Sequence, residues 1–532
     1  MSRRVAVLVA SCAVLLVPAA GAMRAPSAQT LLTSVTSISR YSVFERTFRW
    51  RSSGYANPWE QVNLTMTLIS PTGQETRIGG FHAGPDTWKV RFSPTHTGRW
   101  LWVATLADAT HKQTTRGALI VVGGKGRRGF VRHSPYNRFR WIFADGSPYY
   151  PLGIGDCVRD SHGSGSPFDH FHVDAIRGTV NVGTYLRTYQ RAGVNLFRWS
   201  VDNCAFGLYQ RIAPQGNIYL EREGRWGDRL VSELRSHVFR VYMTIFGSNP
   251  PFAHDASLEE INAVKRYVKY VVDRYGAYVD FWELMNEAQA STAWYTQIAK
   301  YLRSVDPYHH PIATSLERPD LPVIDVNAPH WYELESESDS DVRTWNLFAA
   351  WKGAGKPVIV GEQGNSGRNW DERSAVRMRI RAWTAFFAEG TLIFWNTSLT
   401  KDYRSPAGNI YLGPEERGLL RVLQRFTRGF DPRARIVPVD VSVPANVRGY
   451  GLSGPREFGA YLHAFRNQAT PTTGVRLTIQ AGSPGSATWI DPADGRVLAR
   501  RAVTRGAQQL IVPPFNVDVA LKIRFGRAQR RP

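Results

Sequence analysis

Two glutamates stand at the ends of two short apolar runs that have the composition of buried β-strands. One run ends in Asn286-Glu287 and the other in Gly361-Glu362. Hydrolysis of a glycosidic bond needs a carboxylic acid that protonates the leaving oxygen and a second carboxylate that meets the oxocarbenium-like carbon, directly or through water. The pair Glu287 and Glu362 suits that chemistry, whereas either glutamate alone could equally be a charged loop residue.

Polar residues also stand near the ends of other apolar runs, among them Arg198, His330 and Tyr332. A donor or cation beside Glu362 would favour its ionised form, and a less polar setting would keep Glu287 protonated. The alternative is that these are ordinary strand-end residues.

The elements that must position these residues lie between Tyr149 and about Phe430, where short apolar runs alternate with longer helical stretches. This alternation is typical of parallel β/α units, and eight such units predict a (β/α)8 barrel with its functional side chains at the carboxyl ends of the strands. The eight runs are YYPLGIGDCV, VNLFRWSVDN, FRVYMTIFGS, YVDFWELMNE, HPIATSLE, VIDVNAPHWY, KPVIVGEQG and TLIFWNTS.

The helix after the third run has the clearest signal. Ser257-Leu258-Glu259-Glu260 forms a capping box, and apolar residues follow it at helical spacing. An open doubly wound sheet is the alternative architecture, but no G-x-G-x-x-G turn follows the first run, which weakens a nucleotide-binding interpretation. We expect no cofactor.

Short strands separated by glycine and proline turns flank this region on both sides. We predict an N-terminal immunoglobulin-like β-sandwich over residues 31–124, a barrel domain over 130–432 and a C-terminal β-sandwich over 437–526. Such domains serve equally as spacers, supports for the barrel or carbohydrate-binding modules, and the sequence leaves these roles open.

The first 22 residues have the layout of a secretory signal peptide. Arg3 and Arg4 precede an apolar run that ends in Ala20-Gly21-Ala22, and the run is shorter than the roughly 20 residues that span a bilayer. We expect cleavage near Ala22, location outside a bacterial cell and no stable membrane anchor. In an oxidising exterior, Cys157 and Cys204 could form a disulfide or remain two buried thiols.

The chain of 532 residues carries a formal net charge of +22, and 56 of its 66 basic residues are Arg. Basic surfaces attract nucleic acid, anionic membranes or acidic polysaccharides. The arginines are scattered instead of forming one run with interleaved aromatics, so we expect no nucleic-acid partner. A dispersed solvated surface and an anionic oligo- or polysaccharide substrate both stay open, as does the oligomeric state.

With Asn-Glu after the fourth run and Gly-Glu-Gln-Gly after the seventh, the sequence resembles the retaining barrel hydrolases of clan A, including the cellulase family. The resemblance implies that Glu287 is the acid/base, that Asn286 binds the sugar hydroxyl beside the reacting carbon and that Glu362 is the nucleophile. The segment His330-Trp331-Tyr332 is similar to the His-x-Tyr of cellulase-like members, in which Tyr hydrogen-bonds the nucleophile and His lines the sugar site.

Arg198 similarly matches the arginine beside the nucleophile, and Trp395 matches an aromatic that floors the sugar subsite. The match covers roughly 300 residues. Ala288 replaces the proline that commonly follows Asn-Glu in the cellulases, so cellulose is not carried over as the substrate. The three-part layout resembles bacterial cellulase-like and apiosidase-like proteins.

Three further tryptophans and several histidines are also candidate site residues. Core packing is at least as good an explanation as sugar contact for Trp199, Trp294 and Trp370.

His309 and His310 are adjacent on a strand and point to opposite faces, so no shared metal is expected there. His162, His170 and His172 lie in a loop that could bind an ion. The alternative function is a non-catalytic carbohydrate-binding or cell-surface protein on a hydrolase-like scaffold.

Overall fold

The computed structural model describes residues 35–158, 166–169, 171–174, 178–202, 204–333, 339–365, 370–395, 410–442 and 446–526. The predicted signal peptide and two of the loop histidines, His162 and His170, lie outside these ranges, and the side chain of His172 is likewise not described. Within the described ranges, no helix is both long enough and apolar enough to cross a membrane.

The N-terminal unit is a seven-stranded sheet in the order β1-β7-β6-β3-β4-β5-β2, in which β1 and β7 are parallel and the other pairs are antiparallel. Large apolar side chains, including Trp88, Trp100 and Trp102, form its core. The elements are β1 (Val35–Ser39), β2 (Phe44–Arg49), α1 (Pro58–Gln61), β3 (Asn63–Ile69), β4 (Glu75–Gly84), β5 (Thr87–Phe92), β6 (Gly98–Ala107) and β7 (Lys112–Val122).

Strand β4 changes partner along its length. Residues 75–79 pair with β3, and residues 80–84 pair with β5. The change falls at Gly79-Gly80, where a Cβ on Gly80 would lie 2.4 Å from Leu64 Cδ2. Strands that bend at glycine can pass from one packed layer to another. Hydrogen bonding therefore joins all seven strands into one continuous sheet, a connection that the strand pattern alone does not predict.

The middle of the chain follows the predicted alternation of strands and helices. Its elements are β8 (Val131–His133), β9 (Trp141–Phe143), β10 (Pro148–Tyr149), β11 (Gly153–Gly155), β12 (His172–Asp174), β13 (Gly178–Val180), α2 (Val182–Arg191), β14 (Leu196–Ser200), β15 (Tyr209–Arg211), β16 (Ile218–Tyr219), α3 (Glu221–Ser236), β17 (Arg240–Phe246), α4 (Leu258–Tyr275), β18 (Phe281–Met285), α5 (Thr292–Val305), β19 (Ile312–Ala313), β20 (His330–Glu333), α6 (Ser340–Trp351), β21 (Ile359–Asn365), α7 (Ser374–Phe387), β22 (Thr391–Trp395) and α8 (Pro414–Thr427).

Eight of these strands form one parallel sheet in the order β19-β18-β17-β14-β11-β22-β21-β20. Each contains part of one of the eight predicted runs. One face of the sheet is filled by Leu196, Tyr242, Phe281, Ile359 and Ile393, all fully buried in a single cluster. Because side chains alternate along a strand, residues two positions further on share this face. The chain is therefore a mixed α/β protein built around a parallel sheet.

The predicted start of α4 is confirmed. The Ser257 side chain accepts a hydrogen bond from the Glu260 backbone N–H, and the Glu260 side chain accepts one from the Ser257 backbone. Ten residues of the helix are buried. Arg274 in its last turn donates to Asp228 on α3, and Arg91 of the N-terminal unit donates to the same carboxylate at 2.7 Å. This helix thus links the N-terminal unit to the parallel sheet.

The C-terminal unit contains two antiparallel sheets, β23-β25-β26-β31-β28-β29 and β24-β27-β30. Side chains from both sheets, including Leu477, Leu510 and Leu521, enclose one apolar core. The strands are β23 (Arg435–Val437), β24 (Asp440–Ser442), β25 (Val447–Ser453), β26 (Glu457–Ala464), β27 (Arg476–Ala481), β28 (Gly485–Ile490), β29 (Val497–Val503), β30 (Gly506–Ile511) and β31 (Asp518–Phe525).

Candidate active site

The carboxyl ends of the parallel strands meet around one fully buried guanidinium, that of Arg198 on β14. Arg198 Nη1 donates to Glu362 Oε1 at 2.7 Å, Nη2 donates to Asn286 Oδ1 at 2.6 Å, and Nε donates to Glu283 Oε2 at 2.9 Å. We call these four residues the Arg198 cluster. A planar guanidinium with donors in a fixed fork can fix several acceptors at once.

Glu283, in the middle of β18, is fully buried and closes the inner side of the cluster. Besides Arg198, its carboxylate accepts hydrogen bonds from the hydroxyls of Thr244, Tyr242 and Ser315. A buried carboxylate costs free energy unless it is paired and hydrogen-bonded. The donors come from β14, from β17 and from the segment after β19, so Glu283 ties the position of Arg198 to the surrounding strands.

A β-bulge aims Glu362 into the site. The pairing of β21 with β22 shifts register between Val360 and Gln363, which changes the strict alternation of side chains along β21. Glu362 is paired in register with His330 on β20. Gly361 beside it makes room for the imidazole, because a Cβ there would lie 3.0 Å from His330 Nε2.

Glu287 follows the end of β18 with a φ of 47°, in the left-handed region that non-glycine residues rarely occupy. Its side chain is 46% exposed, against 5% for that of Glu362. His330 Nδ1 lies 2.7 Å from Glu287 Oε1 and 3.6 Å from Glu362 Oε2. The imidazole therefore stands between the two carboxylates.

The two carboxylates are held differently. One oxygen of Glu362 accepts a hydrogen bond from Arg198, and the other accepts one from the hydroxyl of Tyr332. Burial, followed by the nearby charge of Glu362, raises the pKa of Tyr332 far above its ordinary value, so the phenol stays a protonated donor. Burial alone would lower the pKa of Arg198, but the carboxylates of Glu283 and Glu362 outweigh that effect and raise it.

The expectation of a less polar setting for Glu287 is wrong. The hydrogen bond from His330 lowers the pKa of Glu287 below its ordinary value, and this outweighs the opposing effect of partial burial. The charges of His330 and Arg198 act in the same direction. Glu287 is thus the more exposed carboxylate and, with His330 beside it, is favoured in its ionised form.

Trp395, the last residue of β22, is 5% exposed and lies against Gly155 of the neighbouring strand β11. A Cβ on Gly155 would lie 2.9 Å from Trp395 Cε3, so the absence of a side chain there lets the indole lie over the strand. Trp395 follows Ile393 of the filled face by two residues and therefore points to the same side of the sheet as Arg198.

Four other tryptophans do not join the site. Trp331 is 5% exposed and packs against Trp351 and Arg381, because its neighbours His330 and Tyr332 occupy the opposite face of β20. Its prediction as a supporting residue is therefore corrected. Trp199, Trp294 and Trp370 are buried in the same core cluster, in agreement with the packing interpretation.

Glu287, His330 and Glu362 each bring one oxygen or nitrogen ligand atom within 4.8 Å of the others, which is the spacing of a metal site. The donors around them do not suit a cation. Arg198 and Tyr332 already donate to the two oxygens of Glu362, and a metal ion there would compete with a guanidinium 2.7 Å away. At the adjacent pair His309-His310, for which no shared metal was expected, His310 Nδ1 lies 3.0 Å from Asp306 and the residue is buried among aromatics.

Cys157 and Cys204 are joined by a disulfide. Val158 N–H also donates to the carbonyl of Cys204 at 2.8 Å. The bond links the segment after β11 to the segment after β14, two neighbouring strands of the parallel sheet. The disulfide lies beyond the carboxyl ends of those strands, which is also the end of the sheet where the Arg198 cluster is found.

Glu283 and its three hydroxyl donors, Tyr242, Thr244 and Ser315, were missed from the sequence. Glu283 carried a signal, because it is a charged residue in an otherwise apolar strand, four positions before Glu287. Ser315 carried none. Its hydroxyl reaches Glu283 Oε1 at 3.4 Å and accepts from the Glu287 N–H at 3.4 Å, which links the buried and exposed parts of the site.

Several solved structures are similar to this chain in their fold. The structure is similar to that of a Bacteroides vulgatus protein named provisionally as a glycoside hydrolase, with 16% identity, 92% of this chain and 100% of that chain covered and a TM-score of 0.64. It is also similar to a glycoside hydrolase family 5 protein from the same species, with 13% identity, 76% and 95% covered and a TM-score of 0.51.

A third structure, described as a glycoside hydrolase, is 14% identical over 76% of this chain and 98% of that chain, with a TM-score of 0.53. The chain has a glycoside-hydrolase-like fold. Residues 37–107 match the profile of a domain of unknown function, DUF5060. No curated protein matches the chain.

Proposed function

We propose that this protein is a secreted retaining glycoside hydrolase that cleaves a β-linked oligo- or polysaccharide through a covalent intermediate on Glu362. One observation carries the proposal: a carboxylate oxygen of Glu287 and one of Glu362 lie within 4.8 Å of each other. Carboxyl groups are about 5–5.5 Å apart in retaining enzymes and about 6.5–9.5 Å apart in inverting enzymes, which need room for a water. The spacing here supports retention.

The proposal treats the parallel sheet as a closed (β/α)8 barrel of the clan A type between two β-sandwich domains. Closure is supported at the two edge strands, where the backbone N–H groups of Asp325 and Val326, just before β20, donate to the carbonyl of Ile312 on β19 at 2.7 and 3.1 Å. The catalytic groups then lie at the carboxyl ends of the barrel strands, where barrel enzymes place them.

In the first step a Glu362 oxygen attacks the anomeric carbon, the bond to the leaving oxygen breaks, and Glu287 gives that oxygen its proton. In the second step Glu287 removes a proton from water, the water oxygen attacks the same carbon, and the Glu362 carboxylate leaves. Arg198 and Tyr332 hold Glu362 in its attacking orientation. Asn286 and Trp395 are proposed to bind the sugar in the reacting subsite.

Glu287 must be protonated before the first step, although His330 favours its ionised form in the free protein. We infer that the leaving group of a bound substrate displaces His330 Nδ1 from Glu287. Once that donor is gone, the pKa of Glu287 rises and the carboxyl can carry a proton. His330 would thus be both a sugar ligand and a group that sets the protonation of the acid.

The test is turnover of a panel of aryl β-glycosides by the wild type, Glu362→Ala and Glu259→Ala, with the anomer first released followed by NMR. We expect retention of configuration and loss of activity by about 10⁴-fold or more in Glu362→Ala, because the covalent route is removed. Glu259, an exposed residue of α4, supplies the matched control and should stay fully active.

Two results would contradict the proposal. Inversion of configuration would show that a water, and not Glu362, meets the anomeric carbon. Binding of glycans with no turnover by any form would favour the non-catalytic carbohydrate-binding alternative.

Secretion is proposed from the predicted signal peptide, and the disulfide between Cys157 and Cys204 suits an oxidising exterior. The intact mass of the exported protein should correspond to a chain that begins just after Ala22. A chain that retains these residues, or that stays inside the cell, would overturn this part of the proposal.

A further inference from the structure

A second polar and aromatic depression lies on the N-terminal unit, outside the parallel sheet that carries the candidate active site. It has a volume of about 610 Å³ and is open to solvent. Specific ligand sites fall in this size range. Its lining includes Arg49, Trp50, Arg51, Tyr55, Asp108 and His111.

The aromatic part of this depression is held by a chain of hydrogen bonds. Trp50 Nε1 donates to the hydroxyl of Tyr55 at 2.9 Å, and that hydroxyl donates to Asp108 Oδ2 at 2.5 Å. Both rings are only partly buried and pack at the edge of the core of the unit. Rings with satisfied polar atoms and fixed orientation offer a preorganised surface for the apolar face of a sugar ring.

Asp108 anchors the aromatic part of the depression. Its Oδ1 accepts the backbone N–H groups of Thr110 at 2.7 Å and His111 at 2.5 Å. The hydrogen bond from Tyr55, followed by these two, holds the pKa of Asp108 well below its ordinary range. The carboxylate is therefore ionised at neutral pH, and its oxygens are occupied by donors of the protein, so Asp108 fixes the orientation of Tyr55.

The rim carries two guanidinium groups with neutral partners. Arg49 donates to the Thr87 hydroxyl at 2.8 Å and Arg51 donates to the Ser53 hydroxyl at 2.7 Å. Among the described residues, no ion pair within 4 Å is formed by either arginine. Guanidinium groups have five donors each, so both can bind a carboxylate without breaking a salt bridge.

We propose that this depression is a second glycan-binding site that takes an acidic, uronate-containing polysaccharide, with a sugar face on Trp50 and Tyr55 and a carboxylate on Arg49 and Arg51. The choice of a glycan rests on the proposed function, but binding at this site does not require turnover. The site would hold the protein on its substrate while the Arg198 cluster acts.

Affinity gel electrophoresis of the full chain tests the inference, with polygalacturonate as the acidic probe and dextran as the neutral probe. Arg49→Gln/Arg51→Gln removes the two rim charges, and Tyr55→Ala removes one ring. The control is Arg77→Gln/Arg99→Gln, which removes two exposed arginines of the same unit from outside the depression. Circular dichroism shows whether each variant is folded.

We expect polygalacturonate to retard the wild type, and each pocket variant to bind about tenfold more weakly, because each loses charge-assisted hydrogen bonds or a stacking ring. The control should bind like the wild type, and dextran should retard none of the proteins. Glu362→Ala should bind like the wild type, so a failure of the proposed catalysis would not hide this site.

Four results would overturn the inference. An equal loss in the Arg77→Gln/Arg99→Gln control would assign the binding to the basic surface as a whole. Equal retardation by dextran would remove the role of the carboxylate. Unchanged binding in the folded pocket variants, or no binding by the wild type, would show that this depression is not the site.

Discussion

At the carboxyl ends of the parallel strands, one buried guanidinium, that of Arg198, is shared by two carboxylates and an amide. Between α6 and the C-terminal unit, one buried carboxylate, that of Asp341, is shared by several donors. Arg448 donates to both of its oxygens at 2.8 Å, the Tyr450 hydroxyl donates at 2.8 Å, and His463 Nδ1 lies 3.1 Å away. We call these four residues the Asp341 cluster.

The two clusters differ in how fully their carboxylates are paired with positive groups and hydrogen-bond donors. In the Arg198 cluster two carboxylates, Glu283 and Glu362, share one cation, so negative charge is left at the open end of the sheet, where Glu287 is exposed. In the Asp341 cluster donors outnumber acceptors, and nothing is left over to react. Burial would raise the pKa of Asp341, but His463 and Arg448 outweigh it and lower the pKa far below its ordinary value. The proposed reactive site thus keeps uncompensated negative charge, whereas the buried carboxylate of the Asp341 cluster is fully paired.

The comparison predicts a large effect on activity for Glu283→Gln. The amide is isosteric but neutral, so Arg198 loses one of its two carboxylates and shifts toward Glu362. We expect kcat to fall about 100-fold, the size of effect that misplacement of a catalytic group by about 1 Å can have, with a smaller change in KM. Steady-state kinetics on an aryl β-glycoside checks this.

A structural role alone would give a different pattern for this variant. If Glu283 only supported folding, the soluble fraction of the protein would fall while the kcat of the folded fraction stayed at the wild-type value. That outcome would contradict the assignment of Glu283 as a positioning residue.

For Asp341→Asn we predict a large effect on stability and none on kcat. The amide leaves Arg448 and His463 without their buried charge partner, a change that costs about 3–5 kcal/mol when one side of a buried pair is removed. Urea unfolding measured by intrinsic fluorescence, beside kinetics on the folded protein, checks the prediction. A loss of kcat similar to that of Glu283→Gln would break the distinction between the clusters.

The pH dependence supplies a control for Asp341→Asn. The pKa of Asp341 is lower in the folded state than in the unfolded chain, where Asp titrates near 3.9, so its contribution is complete above roughly pH 5 and is lost as the pH falls through and below about 4. The difference in unfolding free energy between wild type and variant should therefore shrink in acid. A constant difference down to pH 3 would contradict it.

The smallest predicted effect is a shift in the pH profile of His330→Gln. The histidine lowers the pKa of Glu287, and removal of its charge raises that pKa toward the ordinary value. Since the acid must be protonated, the alkaline limb of kcat/KM, which reports the free enzyme, should move to higher pH. A limb that stays in place, or moves to lower pH, would show that His330 does not control Glu287.

Much of the fold could be predicted because its signals are local. The alternation of short apolar runs with helical stretches predicted the eight parallel strands, and the capping box at Ser257 predicted the start of α4. The crossing of β4 between two partners could not be predicted in this way. It depends on the close approach of Leu64 to Gly80, residues of different strands whose contact no local pattern records.

Glu287, Glu362 and Arg198 could be predicted from the sequence, because their residue types and their positions at the ends of apolar runs match a known pattern. What only the tertiary structure decided is how these groups are charged and which neighbours they have. The environment of Glu287 depends on His330, 43 positions away in the sequence. The position of the Arg198 guanidinium depends on its hydrogen bond to Glu283, 85 positions away. Electrostatic interactions act through space, so the sequence alone identifies the proposed reacting groups, whereas the fold sets their electrostatic environment.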